Sequence, residues 1–278
     1  MDRIVVGVDG SDSAITALRW AVQEAERHDA TVVAVLAWSY LDQRHADHSQ
    51  EFDPAYTAQE AQDALRAAVE AVGSPRPIEQ VTICDLPVQA LLEASDGADL
   101  MVVGARGLGG FKGLLLGSVS ERMLERAPCP VAIIRETGTQ GPEAAVVVGI
   151  DGSPEATAAL HWAAAEARAR QAPLRVVHAW HVPFLAPAPT GQLVTAIEEG
   201  AQAVLDEALQ DPALAGVEAS GHLQLDGAAQ AVLSVAADAA LIVAGASGRG
   251  RISRAILGST TRQLAHHAHC PIVVVPTT

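Results

Sequence analysis

The strongest constraint on the fold is that this 278-residue chain contains the same pattern twice. Residues 4–38 and 146–180 share a Gly-x-Asp-Gly-Ser segment and two tryptophans at a constant offset of 142. The later parts of the two copies align at an offset of 141. A period this long indicates two copies of one domain rather than a solenoid. We therefore predict two domains, residues 1–137 and residues 143–278.

Each copy alternates short apolar runs with segments of helical periodicity. In the first copy the predicted strands are Val5–Val8, Val32–Ala37, Val81–Cys84, Leu100–Val103 and Val131–Ile134. The predicted helices are Ala14–Arg27, Ala58–Val72, Val88–Ala94 and Ser118–Arg126. This alternation predicts an α/β fold, a five-stranded parallel sheet with helices on both faces, in each domain. Ser11 and Ser153 are the predicted N-caps of the first helices.

Charge and composition narrow the class of protein. The net charge of −15 argues against binding to nucleic acid or to an anionic membrane, both of which favour basic surfaces. No apolar run reaches the roughly 18 residues of a membrane span, and the first residues do not resemble a signal peptide. We therefore expect a cytoplasmic protein with no nucleic-acid or membrane partner.

Cysteine and histidine are too sparse to indicate a metal or disulfide framework. The three cysteines form no CxxC pair, so reduced thiols are expected. The group His266, His267, His269 and Cys270 resembles a metal cluster. The first copy has Glu125, Arg126, Pro128 and Cys129 at those positions. Because the cluster is not duplicated, we predict no metal site.

A glycine-rich loop follows the fourth predicted strand of each copy. Residues 104–118 read GARGLGGFKGLLLGS and residues 245–259 read GASGRGRISRAILGS. Both fit Gly-x2-Gly-x9-Gly-Ser. Glycines let backbone amides approach a ligand, and the start of the next helix favours phosphate. The predicted phosphate-binding residues are Gly104, Gly107, Gly117 and Ser118, with Gly245, Gly248, Gly258 and Ser259 in the second copy. Flanking positions complete the candidate set: Gly7, Arg106, Gly109, Val119, Gly149, Gly250 and Thr260.

An aspartate follows the first strand of each copy. Ligands of open α/β sheets bind beyond the carboxyl ends of the strands, where acidic side chains accept hydrogen bonds from ribose. Asp9 and Asp151 are therefore candidate ribose ligands. Two other functional motifs are not matched. Lys112 is followed by Gly113 where a Walker A loop needs Ser or Thr, and the sequence contains no GxSxG nucleophile elbow of an esterase.

These motifs resemble the universal stress protein family in its tandem, ATP-binding form. The match includes VVGVDGS and APCPVAII in the first copy, with VVGIDGS and AHCPIVVV in the second. The resemblance implies flavodoxin-like or nucleotide-binding α-hydrolase-type domains, each binding ATP, with Mg²⁺ held through the phosphates. It implies ribose contacts from Asp9 and Asp151 and main-chain adenine contacts from Val35 and Val177. It also implies pairing of the two last strands within one chain, and a homodimer.

The two copies differ in the charges around the glycine-rich loop. Arg106 and Lys112 are replaced by Ser247 and Ser253. The second loop instead has its own arginines, Arg249, Arg251 and Arg254. We therefore predict unequal nucleotide affinities. Residues 39–57 and 181–195 also differ strongly between the copies, and either a lid or a partner surface fits them.

Three functions are consistent with these patterns. The first is an ATP-binding regulatory protein of the stress response, in which nucleotide occupancy controls the domain arrangement or a partner. The second is a slow ATPase, or a protein that phosphorylates itself on Ser118 or Ser259. The third is an interaction protein without a nucleotide, which the intact loops disfavour. No dedicated base is evident, so no catalytic residue is assigned, and the sequence does not identify the protein partner.

Overall fold

The computed structural model describes residues 1–45, 52–108, 115–135, 144–182, 191–248 and 257–276. The chain divides into two compact units, Met1–Glu136 and Thr137–Thr278, which we call unit 1 and unit 2. Within the described ranges, no helix combines the length and the apolarity that a membrane crossing requires.

Both units alternate strands and helices as the repeat predicts. Unit 1 contains β1 (Arg3–Gly7), α1 (Asp12–His28), β2 (Thr31–Trp38), α2 (Ala58–Glu70), β3 (Ile78–Cys84), α3 (Pro87–Ala94), β4 (Leu100–Gly104), α4 (Ser118–Arg126) and β5 (Val131–Ile134). Unit 2 contains β6 (Val146–Ile150), α5 (Pro154–Arg170), β7 (Leu174–Trp180), α6 (Gly191–Leu209), β8 (Ala219–Leu225), α7 (Ala228–Val235), β9 (Leu241–Gly245), α8 (Ser259–His267) and β10 (Ile272–Val275).

The strands of each unit form a parallel sheet of five strands. The order in unit 1 is β3-β2-β1-β4-β5, and the order in unit 2 is β8-β7-β6-β9-β10. The predicted α/β fold is confirmed. The order 3-2-1-4-5 is that of doubly wound nucleotide-binding sheets, and it differs from the 2-1-3-4-5 order of flavodoxin. The strand order reverses between β1 and β4, and this switch point is where such sheets bind ligands.

Apolar strands and small helical residues build the core of each unit. Every residue of β4, β5, β9 and β10 is buried, which requires helices on both faces of the sheet. In unit 1, α1 contacts α2, and α3 contacts α4. Alanines supply much of the helix surface that meets the sheet, including Ala17, Ala21 and Ala25 of α1.

The first helix of each unit begins and ends in the same way. The predicted N-caps are confirmed, since Ser11 Oγ accepts the Ala14 N–H at 3.2 Å and Ser153 Oγ accepts the Ala156 N–H at 3.2 Å. At the other end, Asp29 and Gln171 adopt left-handed backbone conformations, with φ of 52° and 54°. Such a residue redirects the chain after a helix, although glycine usually fills this position.

Two of the three cysteines lie in the core. Burial raises the pKa of the Cys129 thiol to about 11 and that of the Cys270 thiol to about 12. Cys84, at the end of β3, is exposed. The cysteine that precedes the last strand of each unit is therefore a core residue, whereas Cys84 is not.

The close approach of α1 to β4 explains the first glycine of the loop motif. A Cβ atom at Gly104 would lie 2.8 Å from the carbonyl carbon and oxygen of Ser13. The equivalent distance in unit 2, from Gly245 to the Glu155 carbonyl, is 3.0 Å. The missing side chain at this position thus lets the first helix pack on the fourth strand.

Asp99 anchors the start of β1. Its Oδ2 atom accepts the N–H groups of Asp2 at 2.6 Å and Arg3 at 2.9 Å. These two amides lower the pKa of the Asp99 carboxyl, the Asp2 amide contributing most. Unit 2 has Ala240 at this position, so the anchor belongs to unit 1 alone.

We expect Gly104→Ala to destabilise the protein by about 1–3 kcal/mol, because the added methyl group must displace the backbone of α1. Gly245→Ala should cost less, because its neighbours are farther away. Gly117→Ala is the control, since its Cβ would meet nothing closer than 3.4 Å. Urea denaturation measures the loss of stability in each of the three variants. An equal loss in all three would show that contact with the backbone of the first helix does not determine the cost.

We expect Asp99→Ala, which introduces the unit 2 residue, to lower stability at pH 7 by up to about 1 kcal/mol, since the carboxylate is exposed. A lowered folded-state pKa means that the contribution is present at neutral pH and disappears as the pH falls through that pKa. The variant and the unmodified chain should therefore converge as the pH falls below the usual carboxyl value of 3.8.

Urea midpoints between pH 7 and pH 3 test this convergence. The control is Asp96→Ala, an exposed aspartate of the same turn. A difference that does not diminish as the pH falls below 3.8, or an equal effect of the control, would show that the Asp99 charge does not anchor the strand.

Candidate functional site

A cavity of about 750 Å³ lies at the carboxyl ends of β1, β2 and β4 in unit 1. This is the switch point of the sheet, and the volume is within the range of small-molecule sites. Every described candidate residue of the first copy lines it: Gly7, Asp9, Val35, Gly104, Arg106, Gly107, Gly117, Ser118 and Val119. The remaining first-copy candidate, Gly109, lies outside the described residues.

Asp9 connects the two sequence motifs. Its Oδ1 atom accepts the Ser11 N–H at 3.0 Å and the Ser11 hydroxyl at 2.6 Å. Its Oδ2 atom accepts the Leu108 N–H at 2.9 Å. The carboxylate therefore joins the start of α1 to the loop after β4. A carboxylate offers about four acceptor positions, so these three bonds leave capacity for a ligand hydroxyl.

The second glycine of the motif makes room for this carboxylate. A Cβ atom at Gly107 would overlap the Oδ2 atom of Asp9. The same overlap would occur in unit 2 between Gly248 and Asp151. Close approach to the aspartate is thus a structural reason for this glycine, in addition to the expected approach to a ligand.

The start of α4 presents backbone donors to the cavity. Gly117, the N-cap, has no side chain that could accept hydrogen bonds from the first amides of the helix. Its own N–H donates to the Ala105 carbonyl at 2.7 Å, and the Ser120 hydroxyl donates to the Gly104 carbonyl at 2.7 Å. These bonds fix the helix start against the end of β4. The amides of the first helical turn have no intrahelical acceptor, which is the geometry that favours phosphate.

The adenine contact implied for Val35 lies within β2, beside the end of β1. Val35 is the register partner of Gly7, and its carbonyl accepts the Val8 N–H at 2.9 Å. Both residues line the cavity beside Ala37. The wall at this end of the cavity is therefore apolar, which suits the face of a base.

Unit 2 repeats the arrangement. Gly149, near the end of β6, is the register partner of Val177 in the middle of β7. The Oδ1 atom of Asp151 accepts the Ser153 N–H at 3.0 Å. The remaining described candidates occupy the end of β9, the following loop and the start of α8: Gly245, Gly248, Gly258, Ser259 and Thr260. Gly250 lies outside the described residues.

The helix start of unit 2 is held by equivalent bonds. The Gly258 N–H donates to the Ala246 carbonyl at 2.8 Å. Thr261 replaces Ser120 and donates from its hydroxyl to the Gly245 carbonyl at 2.7 Å. The backbone geometry at the fourth strand is therefore common to both units, although the sequences between the glycines differ.

Several residues that no sequence pattern indicated also line the unit 1 cavity. Asp42 and Arg44 come from the turn after β2, and Leu86–Gln89 come from the start of α3. Arg122 and Arg126 come from α4. Helical spacing could have identified the two α4 arginines, because they follow Ser118 by four and eight residues. Nothing in the polar segment after β2 indicated which of its side chains face the cavity.

Asp42 and Arg44 form one rigid wall of the cavity. The Arg44 guanidinium donates to both carboxylate oxygens of Asp42, at 2.5 and 2.9 Å. The Tyr56 hydroxyl donates to the Arg44 carbonyl and accepts the Arg44 N–H. Tyr56 itself packs against Trp38, with ring centroids 5.7 Å apart. The turn after β2 is thereby held at the edge of the site.

Comparison with known proteins agrees with the architecture. The model of the universal stress protein family matches residues 1–135 and 144–276. The universal stress protein Rv2005c of Mycobacterium tuberculosis is 32% identical, over 98% of this chain and 96% of its own length. A universal stress protein of Mycolicibacterium smegmatis is 30% identical, over 98% and 96%.

Solved structures share the fold. The crystal structure of a universal stress protein from Archaeoglobus fulgidus superposes with a TM-score of 0.66 at 21% identity, and the match covers 99% of this chain and 98% of that one. Because the family model matches both repeats and these curated relatives cover almost the whole sequence, the chain belongs to the universal stress protein family, with one domain of that family in each repeat.

Proposed function

We propose that each unit binds an adenine nucleotide, with ATP and its Mg²⁺ as the principal ligand, and that occupancy regulates the protein. The observation that carries this proposal is the unit 1 cavity, which combines an uncapped helix start, a glycine-rich loop and a strand-end aspartate. Each of these features suits one part of a nucleotide.

The phosphates belong at the start of α4. The first amides of the helix and the Ser118 hydroxyl supply donors, and the helix dipole favours negative charge there. One such charge interaction contributes only about 0.3–1 kcal/mol, so several donors must act together. Mg²⁺ binds here through phosphate oxygens, because magnesium usually keeps most of its ligands from water and phosphate.

The ribose and the base belong at the ends of β1 and β2. Asp9 retains acceptor capacity for ribose hydroxyls beside the loop that it already holds. Val35 and Ala37 offer an apolar wall to the base. Unit 2 has the same glycines and the same aspartate, which supports a second site of the same kind.

The carboxylates that the structure describes in the cavity favour regulatory binding of the nucleotide over its hydrolysis. Phosphoryl transfer needs a positioned nucleophile and usually a base. Asp42 is engaged by Arg44, and Asp9 accepts from backbone amides. A bound nucleotide stabilises the state that binds it better, which is sufficient to control a partner. The predicted homodimer, the strand pairing and the cytoplasmic location stay predictions.

We expect the purified chain to release ATP on acid treatment and, after nucleotide removal, to bind two equivalents of ATP. Gly117→Leu should weaken binding in unit 1, and Gly258→Leu should weaken binding in unit 2, each by at least about tenfold (about 1.4 kcal/mol). The physical reason is that the leucine side chain enters the space between the loop and the helix start. Calorimetry with magnesium-ATP measures both sites.

The matched control is Gly200→Leu, at a glycine of α6 with open space around it. It should bind two equivalents unchanged, and thermal melting shows whether each variant is folded. No saturable heat with the unmodified chain would contradict nucleotide binding. Release of labelled phosphate at a rate that Ser118→Ala and Ser259→Ala abolish would favour the phosphotransfer alternative instead.

A further inference from the structure

The unit 1 cavity is basic although the chain carries a net charge of −15. Four arginines and two aspartates line it. Arg44 is neutralised by Asp42, and Asp9 is held by backbone amides. The cavity therefore keeps an excess of positive charge in an acidic protein.

That excess comes from Arg106, Arg122 and Arg126. All three are exposed and line the cavity. Within the part of the chain that the structure describes, none of their guanidinium groups forms an ion pair, whereas Arg27, Arg66 and others outside the cavity do. Unpaired arginines converging on one cavity are suited to an anionic ligand.

The positions of these arginines extend the phosphate region outward from the helix start. Arg122 and Arg126 follow Ser118 by one and two turns on the same side of α4, which places them roughly 6 and 12 Å along the axis. Arg106 approaches from the loop after β4. A monophosphate at the helix start lies at the near end of this row, and a triphosphate has further oxygens to place along it.

A fourth cation lies at the same edge. Arg135, which follows β5, donates to the Leu115 carbonyl at 2.9 Å. Burial, and secondly the charge of Arg106, lower the pKa of Arg135. Arg106 and Arg135 are therefore like charges that lie close enough to interact beside the cavity.

Unit 2 has none of these charges at the equivalent positions. Ser247 stands in place of Arg106, and Gln263 and His267 stand in place of Arg122 and Arg126. Pro276 replaces Arg135. The described parts of the two sites therefore share backbone geometry and differ in charge. The unit 2 loop also contains Arg249, Arg251 and Arg254, which lie outside the described residues.

We propose that Arg106, Arg122 and Arg126 make unit 1 select nucleotides by the number of their phosphates, favouring triphosphates over monophosphates. This inference rests on the proposed nucleotide binding and adds a specificity that the shared motif does not supply. Charge-assisted bonds from arginine to phosphate are the physical cause, and they act on the second and third phosphates.

The test measures dissociation constants of ATP, ADP and AMP for the Gly258→Leu chain, in which unit 1 is the intact site. Calorimetry is done with EDTA, so that no Mg²⁺ screens the phosphates. The expected preference for ATP over AMP is at least about tenfold. The triple variant R106S/R122Q/R126H, which introduces the unit 2 residues, should reduce it to within about threefold, because ATP loses more affinity than AMP.

Two controls separate local from global charge. The variant R19Q/R66Q/R76Q removes the same number of charges from residues that do not line the cavity, and it should keep the preference for ATP. The Gly117→Leu chain reports unit 2, and adding the triple variant to it should leave the unit 2 affinities for ATP and AMP within about twofold, because none of the three substitutions lies in unit 2. If Gly258→Leu does not fold, the same ratios are fitted as two sites on the unmodified chain.

The outcomes distinguish the two proposals. Absence of binding by any nucleotide contradicts the proposed function itself. Nucleotide binding with equal affinity for ATP and AMP in unit 1, or a preference that the triple variant retains, overturns the selection by arginines. Equal loss of ATP and AMP binding in the triple variant also overturns it, because the arginines would then support the pocket rather than the outer phosphates.

Discussion

The bond between Asp9 and the loop after β4 is the interaction on which the site depends. One carboxylate, at the end of the first strand, accepts hydrogen bonds from the start of α1 and from the Leu108 amide. Residues almost a hundred positions apart are thereby held at one point of the sheet. The arrangement requires glycine at position 107, since any side chain there would occupy the place of the carboxylate.

Much of this architecture was predictable because it depends on local patterns. The repeat, the apolar runs and the serine caps indicated which segments form strands and helices. Their alternation indicated a parallel sheet. The boundaries of β3 were missed, since it begins at Ile78 and not at Val81. This edge strand is only half buried, so its polar residues interrupt the apolar run. β1 ends at Gly7 and not at the predicted Val8, although the Val8 N–H still donates to the Val35 carbonyl at 2.9 Å.

The site was predictable where backbone chemistry determines it and not where side chains from distant segments meet. The glycine spacing identified the phosphate loop, although part of its cause is internal packing against Ser13 and Asp9. The wall formed by Asp42 and Arg44 depends on how the turn after β2 is folded against Tyr56. No periodicity or motif encodes that contact, and it emerges only from the tertiary structure.

The overlap between the aspartate and its glycine has a consequence for how such sequences diverge. If position 107 acquires a side chain while Asp9 is present, the two groups collide. Shortening Asp9 alone leaves the Leu108 amide without its acceptor. Neither position can therefore be substituted independently of the other. The same restriction applies in unit 2 to Asp151 and Gly248, so the two residues of each pair must change together. The surrounding charges carry no such mutual restriction, which left them free to diverge after the duplication.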